Sequence, residues 1–512
     1  MNIIQSIRET ALLYGNRIAV QSGEEQLTYA QLEDYSNRLA AWMSHKLGNS
    51  KIPVIVYGHK NPYMIVTFLA CVKSGRAYCP QDISIPISRV EETVESVTPQ
   101  LICVIEGDYA PKHAGITLNL RQIQDVIQTE KITGKGAQAV QEEDVFYIIF
   151  TSGSTGKPKG VQITTACLNH YLDWSVTLGG SRREKEGALF MNQAPFSFDL
   201  SVMDLYTSLA CGGTLCTMTK ECQKDYTQMF DFFAHTKLNV WVSTPSFADM
   251  CLVDKNFSQD LLPELGLFLF CGEVLTTATA GKLMERFPNA KIMNTYGPTE
   301  STVAVTEVEI TPELLTHTIS QGKSLPVGHE KPGTCIEIWD EQGKCCKEGE
   351  QGEIIIIGDT VSSGYYKRRD LTEKAFLVCE RDGKWQRAYR TGDAGYLVEG
   401  QLYYNGRIDL QVKLHGYRIE IEDIENNMVR LEQIDHAVVI PNVKEGKVKS
   451  LTAFVTCHTK EKTEFELSRQ IKEALKEFLP SYMIPKKIHC LDSIPMNNHG
   501  KADRKYLGGL VS

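Results

Sequence analysis

The densest run of chemistry-bearing residues is Thr151-Ser152-Gly153-Ser154-Thr155-Gly156-Lys157-Pro158-Lys159-Gly160. It follows the apolar, β-prone residues 145–150 and precedes 161–163, so it reads as a loop between two strands. Glycines let the backbone approach a ligand closely, and hydroxyls with two ammonium groups suit phosphate oxygens, so the predicted guest is a polyphosphate. A kinase-type or GTPase-type loop, Gly-x4-Gly-Lys-[Ser/Thr], would need Gly-Lys at 158 and 159, where Pro158-Lys159 stand. The bland alternative is a Gly/Ser linker, but linkers rarely carry two lysines and a proline directly after a buried strand. A second constellation is Asn294-Thr295-Tyr296-Gly297-Pro298-Thr299-Glu300-Ser301-Thr302. Its ring, tight turn, hydroxyls and carboxylate could stack a base, approach phosphate and hold Mg2+; otherwise it is a decorated loop. Asp199 lies among Phe196, Phe198 and Leu200, and a buried carboxylate needs a cation or several donors. The same residue reads equally as an N-cap for a helix over 202–209. Cys271 follows the strand-like 267–270 and is a candidate pocket wall, although a buried small hydrophobe is the commoner fate of a free cysteine.

The elements that must position these groups alternate between helix and strand over the first ~140 residues, the texture of an α/β layer. Thr28 caps a helix with Leu32, Tyr35, Leu39 and Met43 on one face; 52–57 is a buried strand; 64–72 is an apolar helix closed by Ser74-Gly75. Thr164-Thr165 cap a helix near Ala166, and Leu178-Gly179-Gly180-Ser181 reads as a turn. Residues 239–243 and 267–270 are core strands, each followed by a polar turn. From about 326 to 405 short strands with glycine turns predict a β-rich subdomain. After Asp409 the pattern becomes helix, strand, strand, helix, with Ile421, Ile424 and Met428 on one helix face and Phe465, Ile471, Leu475 and Phe478 on another. A boundary there gives a large unit over 1–408 and a small α+β unit over 409–512.

With 512 residues, 42% hydrophobic and 23% charged, the chain has ordinary globular values and room for about three domain-sized units at roughly 150 residues each. No stretch approaches the ~18 apolar residues of a membrane span, and the start has no signal-peptide pattern, so a cytoplasmic protein without membrane insertion is expected. The 15 cysteines form no Cys-x-x-Cys pair, and the histidines no predicted metal pair, so any divalent ion arrives with a phosphate ligand. A net charge of -9 argues against a general nucleic-acid surface.

Taken together, the stretches 27–29, 73–78, 151–160, 198–201, 294–300, 352–365, 389–393, 406–425 and 500–504 stand in the order found in the adenylate-forming ligases, and the chain resembles that superfamily from Leu27 to Lys505. The resemblance implies that a carboxylate attacks the α-phosphate of ATP, giving an acyl-adenylate and pyrophosphate, after which a thiol attacks the mixed anhydride. It implies that Thr151, Ser152, Gly153, Ser154, Thr155, Lys157 and Lys159 hold the β and γ phosphates, and that Asn294, Thr295, Tyr296, Gly297, Pro298 and Thr299 meet adenine and the α-phosphate. Glu300 would help to hold the Mg2+ of ATP. Asp393 would accept the ribose hydroxyls, with Tyr404, Asn405, Gly406 and Arg407 beside the nucleotide. Lys501 would be the catalytic lysine bridging substrate carboxylate and α-phosphate. Asp199 would pair with a substrate ammonium, Cys271 would narrow the side-chain pocket, and Val303 would face the substrate. Within the superfamily the chain is most similar to the stand-alone ligases that load D-alanine onto a D-alanyl carrier protein for D-alanylation of lipoteichoic acid. The implied partner is a phosphopantetheinylated carrier supplied in trans, and the implied state is a monomer. The resemblance further implies rotation of the small domain about Asp409, bringing residues 412–417 to the site in place of Lys501. A short-chain acyl-CoA synthetase and a non-catalytic nucleotide-binding protein of the same fold are the alternatives.

Overall fold

The computed structural model describes residues 1–112, 115–130, 138–153, 158–381, 383–444, 446–457, 463–496 and 502–511. Two α/β layers carry the first part of the chain. One six-stranded sheet runs in the order Ile116–Asn119, Leu101–Val104, Val54–Gly58, Tyr78–Asp82, Val145–Thr151, Lys159–Thr164. Its strands are parallel except for the last, antiparallel pair, which flanks the Gly-rich loop. A nine-stranded sheet has a parallel centre, Lys291–Tyr296, Leu267–Phe270, Val240–Ser243, Leu189–Asn192, Thr214–Thr217 and Ile18–Ser22, with antiparallel strands at both edges. Strands such as Leu267–Phe270 are apolar and buried throughout, as covering of both sheet faces requires. Helix Pro62–Lys73, buried except at the half-buried Tyr63, packs on strands of both sheets, which explains why its sequence is mostly apolar.

Local signals read from the sequence are realised here. Thr28 caps helix Tyr29–Leu47 through a reciprocal capping box with Gln31, and Leu32, Leu39 and Met43 are buried. Thr164 caps helix Thr165–Ser175, and Gly75 takes φ +79° after helix Pro62–Lys73. After strand Val240–Ser243 the chain enters helix Pro245–Cys251 at once rather than a turn, with Pro245 in the first turn where no N–H is needed.

The β-rich layer is an antiparallel sheet of Thr334–Trp339, Gly352–Gly358, Lys384–Val398 and Phe376–Arg381, with Gln401–Arg407 on Lys384–Val398. It starts later than the expected residue 326, because His329–Glu330 pairs with Thr306–Glu309 in the nine-stranded sheet. Gly328 allows that pairing: a Cβ there would lie 1.9 Å from the Glu307 carbonyl oxygen.

Beyond this sheet come the hairpin Gln411–Leu414 and Tyr417–Glu420, helix Ile421–Val429, the antiparallel strands Ile434–Lys444 and Lys447–Cys457, helix Glu464–Leu475, and Lys487–Cys490 parallel to Lys447–Cys457. The hairpin and the last strand were not read from the sequence. Ile419, Ile424, Met428, Val439, Val455, Ile471 and Leu475 belong to a core of their own. Phe465 is not on the buried face, being 78% exposed; Leu467, Ile471 and Leu475 carry it. Two residues from Leu467, at ~100° per residue, place Phe465 on the far side of the helix.

This C-terminal part is docked on the layers before it. Arg89 donates from Nη2 to both Asp423 oxygens at 2.8 Å and from Nε to the Phe478 carbonyl at 2.7 Å. Lys447 Nζ donates to Asp249 Oδ2 at 2.8 Å. Tyr417 stacks on Tyr482 with ring centroids 3.6 Å apart, and Phe198 meets Tyr417 edge-on at 4.5 Å.

Candidate active site

Strand Val145–Thr151 ends at the Gly-rich loop, and strand Lys159–Thr164 leaves it, so Thr151 and Lys159 face each other across the pair. Ser154, Thr155 and Lys157 lie outside the described residues, as does Lys501. Ser152 Oγ donates to the Arg418 carbonyl at 2.9 Å and accepts from the Glu420 N–H at 3.3 Å, so the loop is bonded to the hairpin. Lys159 Nζ is 3.8 Å from Glu300 Oε1 and 3.8 Å from Glu420 Oε1, above the Tyr365 ring. Burial, reinforced by the Arg418 charge, lowers its ammonium to about 8 despite these carboxylates.

Glu300 is the buried centre of this cluster. The chain turns sharply after strand Lys291–Tyr296 at Gly297, where a Cβ would lie 2.5 Å from Ala304 Cα, and Glu300 follows on a short 3-10 turn. Its Oε2 accepts from Arg418 Nη1 at 2.5 Å and its Oε1 from Tyr365 Oη at 2.7 Å. Burial alone would raise this carboxyl, but Arg418, then Lys159, hold it at about 2.

Next to it lies a second polar group. Asp393, buried on strand Lys384–Val398, accepts from Arg407 Nη1 at 2.9 Å through Oδ1 and from the Tyr296 hydroxyl at 2.6 Å through Oδ2. Arg407 also forks onto Asp409, with bonds of 2.9 and 2.6 Å. Tyr404 sits 5.9 Å from the Tyr296 ring, and Lys413 Nζ of the hairpin lies over both rings at 5.8 and 5.7 Å. Asn405 and Gly406 are on the same strand as Tyr404, but the Asn405 amide points to Gln351 Oε1 at 2.9 Å. The side chains of Asn294 and Thr295 are spent within the fold, on the Pro326 and Phe270 carbonyls at 2.8 Å each. Of the first three residues in the Asn294 motif, Tyr296 alone therefore presents its side chain to Asp393.

A small pocket opens beside the Glu300 turn, lined by Pro195, Asp199, Cys271, Val303, His415 and Gly416 among others. Asp199 occupies the N-cap position of helix Leu200–Ala210, yet its side chain makes no cap bond, so the capping alternative is not what the residue does. Burial raises its carboxyl, offset by a hydrogen bond with Thr299 and by the Lys413 charge. Among the described residues no cation lies within ion-pair distance of it. Cys271 Sγ donates to the Val303 carbonyl at 3.6 Å. Thr302 and Val303 hold φ of +61° and +70°, a conformation costly for a β-branched residue, roughly 1–3 kcal/mol, of the kind stored at ligand sites. Thr302 Oγ1, bonded to the Thr360 carbonyl at 2.8 Å, secures it.

The hairpin tip closes this pocket. Gly416 N donates to Glu273 Oε1 at 2.9 Å, and Glu273 Oε2 accepts from Ser246 N at 3.2 Å. Arg418, Lys413, Gly416, Glu273 and Tyr365 were not singled out from the residue types. A signal existed for Arg418, which stands between the ring of Tyr417 and the core residue Ile419 on a short strand, a place where a cation demands a buried partner.

Comparison with known proteins places this arrangement. The family model of the AMP-binding enzyme matches residues 7–366, and that of the AMP-binding enzyme C-terminal domain matches residues 423–501. The chain is 45% identical, over 515 aligned positions covering 99% of both chains, to the D-alanine--D-alanyl carrier protein ligase of Bacillus licheniformis. The fold matches that of the Vibrio cholerae adenylation domain AlmE in complex with glycyl-adenosine-5'-phosphate, at TM-score 0.80 and 23% identity over 100% of this chain and 97% of that one. It also matches a holo peptide-synthetase protein containing adenylation and PCP domains, at TM-score 0.82 and 24% identity over 99% and 84%. With the strands that flank the Gly-rich loop, the Glu300 turn and a docked C-terminal unit in one chain, the protein belongs to the AMP-binding, adenylate-forming enzyme family.

Proposed function

We propose that the protein activates D-alanine with ATP, giving D-alanyl-AMP and pyrophosphate, and passes the D-alanyl group to the phosphopantetheine thiol of a carrier protein, for D-alanylation of lipoteichoic acid. The observation that carries the reading is Asp199: a carboxylate beside a small pocket, without a capping bond, ready for one ammonium. An ammonium there forms a charge-assisted contact that a simple short-chain acid cannot make. Cys271 and Val303 leave room for a small side chain on the α-carbon. The name of the Bacillus licheniformis relative supports the same substrate and acceptor.

In this reading Tyr296, Thr299, Asp393, Tyr404 and Arg407 hold the nucleotide, and Thr151, Ser152, Gly153 and Lys159, with Ser154, Thr155 and Lys157, hold its β and γ phosphates. Gly297 and Pro298 shape the turn, and Asn294, Thr295, Asn405 and Gly406 support the walls. Lys501 neutralises the charge that builds as the amino-acid carboxylate approaches the α-phosphate. The donor set fits Mg2+: one buried carboxylate, Glu300, with the Thr151 and Ser152 hydroxyls on the strand end and loop opposite, is what an ion shared with phosphates needs. When bound, that ion neutralises phosphate charge. The large domain spans 1–408 and the small one 409–512, with Asp409 the hinge between an adenylating arrangement, led by Lys501, and the present one, led by the hairpin. The protein works as a monomer in the cytoplasm with the carrier supplied in trans; no described helix is long and apolar enough to cross a membrane.

Pyrophosphate exchange with D-alanine, L-alanine, glycine, propionate and acetate tests the assignment. D-alanine should lead, and propionate should be inert. Equal exchange with propionate and D-alanine would remove the ammonium role of Asp199 and favour an acyl-CoA synthetase.

A further inference from the structure

Two thiols far from this chemistry lie in contact. Strand Lys487–Cys490 runs parallel to Lys447–Cys457 with Cys490 opposite Val455. Cys457, two residues further along, points to the same face as Val455, so its sulfur leans diagonally toward Cys490. The Sγ atoms are 3.6 Å apart. Eight of the fifteen cysteines are buried in the cores, whereas Cys490 is exposed and Cys457 half-buried at the end of its strand. A disulfide holds its sulfurs at about 2.05 Å, so closing this diagonal pair takes an approach of about 1.5 Å, with side-chain rotation and a small backbone shift at the two strand ends.

We propose that Cys457 and Cys490 form a reversible two-electron redox site on the C-terminal unit, oxidised by hydroperoxides. The exposed Cys490 thiolate attacks one peroxide oxygen, the O–O bond breaks, and the other oxygen departs as water or alcohol once protonated, leaving a sulfenic acid on Cys490. The Cys457 sulfur then attacks the Cys490 sulfur; the S–S bond forms, the S–O bond breaks, and the hydroxyl leaves as water with the Cys457 proton. Two thiols lose two electrons and two protons, and the peroxide gains them. The order of attack follows exposure: Cys490 is open to the peroxide, whereas Cys457 is half-buried and burial pushes its thiol up to about 12. A contact of this kind in a protein without a disulfide framework is the setting in which transient, redox-responsive disulfides are found.

The test is a thiol map of the intact protein, reduced, exposed to hydrogen peroxide, then alkylated and digested with trypsin without reductant. The expected product is one cross-link between the peptides 450–460 and 488–501, 2 Da lighter than their sum and reversed by dithiothreitol, with about two thiols lost per chain. In Cys457→Ser the cross-link should vanish and dimedone should label Cys490. Oxidation confined to Cys345, Cys346 or Cys379, with Cys457 and Cys490 still alkylated, overturns the proposal. So does irreversible sulfinic acid on Cys490 in the native chain with no cross-link.

Discussion

Gly416→Ala isolates the arrangement seen here from the adenylation step. Gly416 has φ +82°, and a Cβ on it would lie 2.3 Å from Thr244 Cγ2, more than 1 Å inside ordinary contact. The left-handed backbone costs an alanine about 1–2 kcal/mol, but that cost travels with the hairpin and cancels between the two arrangements. The clash exists only where the tip meets Thr244. Relieving it by turning Thr244 off its rotamer costs about 0.5–1.5 kcal/mol. Backing the tip away instead loses the Gly416 N–H bond to the Glu273 carboxylate, worth about 1.5–3 kcal/mol. The docked state therefore loses the cheaper of the two, about 0.5–1.5 kcal/mol, which is roughly 2- to 13-fold in the step that needs it. Pyrophosphate exchange and carrier loading are measured on one preparation; exchange should stay near native and loading should fall by about 2- to 13-fold. Thr244→Ser removes the clashing methyl and should restore most of the loading in the double variant. Equal losses in both assays, or native loading in Gly416→Ala, would refute the reasoning.

Asp423→Ala leaves Arg89 buried without its partner and should weaken docking of the C-terminal unit by about 3–5 kcal/mol, read as slower carrier loading with exchange retained; the Arg89→Ala, Asp423→Ala cycle should show strong coupling. Cys271→Ala should relax discrimination between D-alanine and larger D-amino acids by about 1 kcal/mol or more in exchange assays, while unchanged selectivity would return that thiol to a packing role. The Glu300 carboxyl is depressed from 4.5 to about 2, so its contribution to stability is complete above pH 4.5 and is lost as pH falls toward 2. It amounts to about 3 kcal/mol, and urea melts against pH should show a shallower acid limb in Glu300→Gln. Lys501→Ala should leave ATP binding near native and suppress exchange by orders of magnitude; exchange at the native rate would remove the catalytic assignment.

The strands and caps of the large layers were legible because each depends on short-range rules: an apolar run, a capping oxygen three residues before the N–H that donates to it, a glycine where the backbone must turn. Asp199 was legible as a buried carboxylate, and the structure removes the competing cap role. Phe465 was misplaced because an aromatic near the start of a periodic helix was counted by type rather than by angle. The hairpin 411–420 escaped because its two strands are four residues each and its partners, Ser152, Glu273 and Glu300, are more than a hundred residues away. Nothing local to Arg418 says that its charge belongs on Glu300. The engagement of Asn294 and Thr295 with backbone carbonyls was equally hidden, since residue type shows capacity to bond but not which partner has already taken it.

Glu300 links the two halves of the proposed reaction through one carboxylate. In the present arrangement its two oxygens are taken by Arg418 and Tyr365, with Lys159 close by. Adding a divalent cation beside Arg418 and Lys159 would set like charges together in a site shielded from water, which disfavours metal on Glu300 while the guanidinium is paired with it. Arg418 stands on the hairpin, which also places Lys413 over the Tyr296 and Tyr404 rings and Gly416 against Glu273. On the proposed function, Glu300 would hold Mg2+ in the adenylating arrangement and pairs with Arg418 in this one, so the two cations would compete for one carboxylate. On that reading the ion pair contributes to stability and also sets an order of steps: the hairpin-led arrangement would become favourable once the charge of the first step has gone.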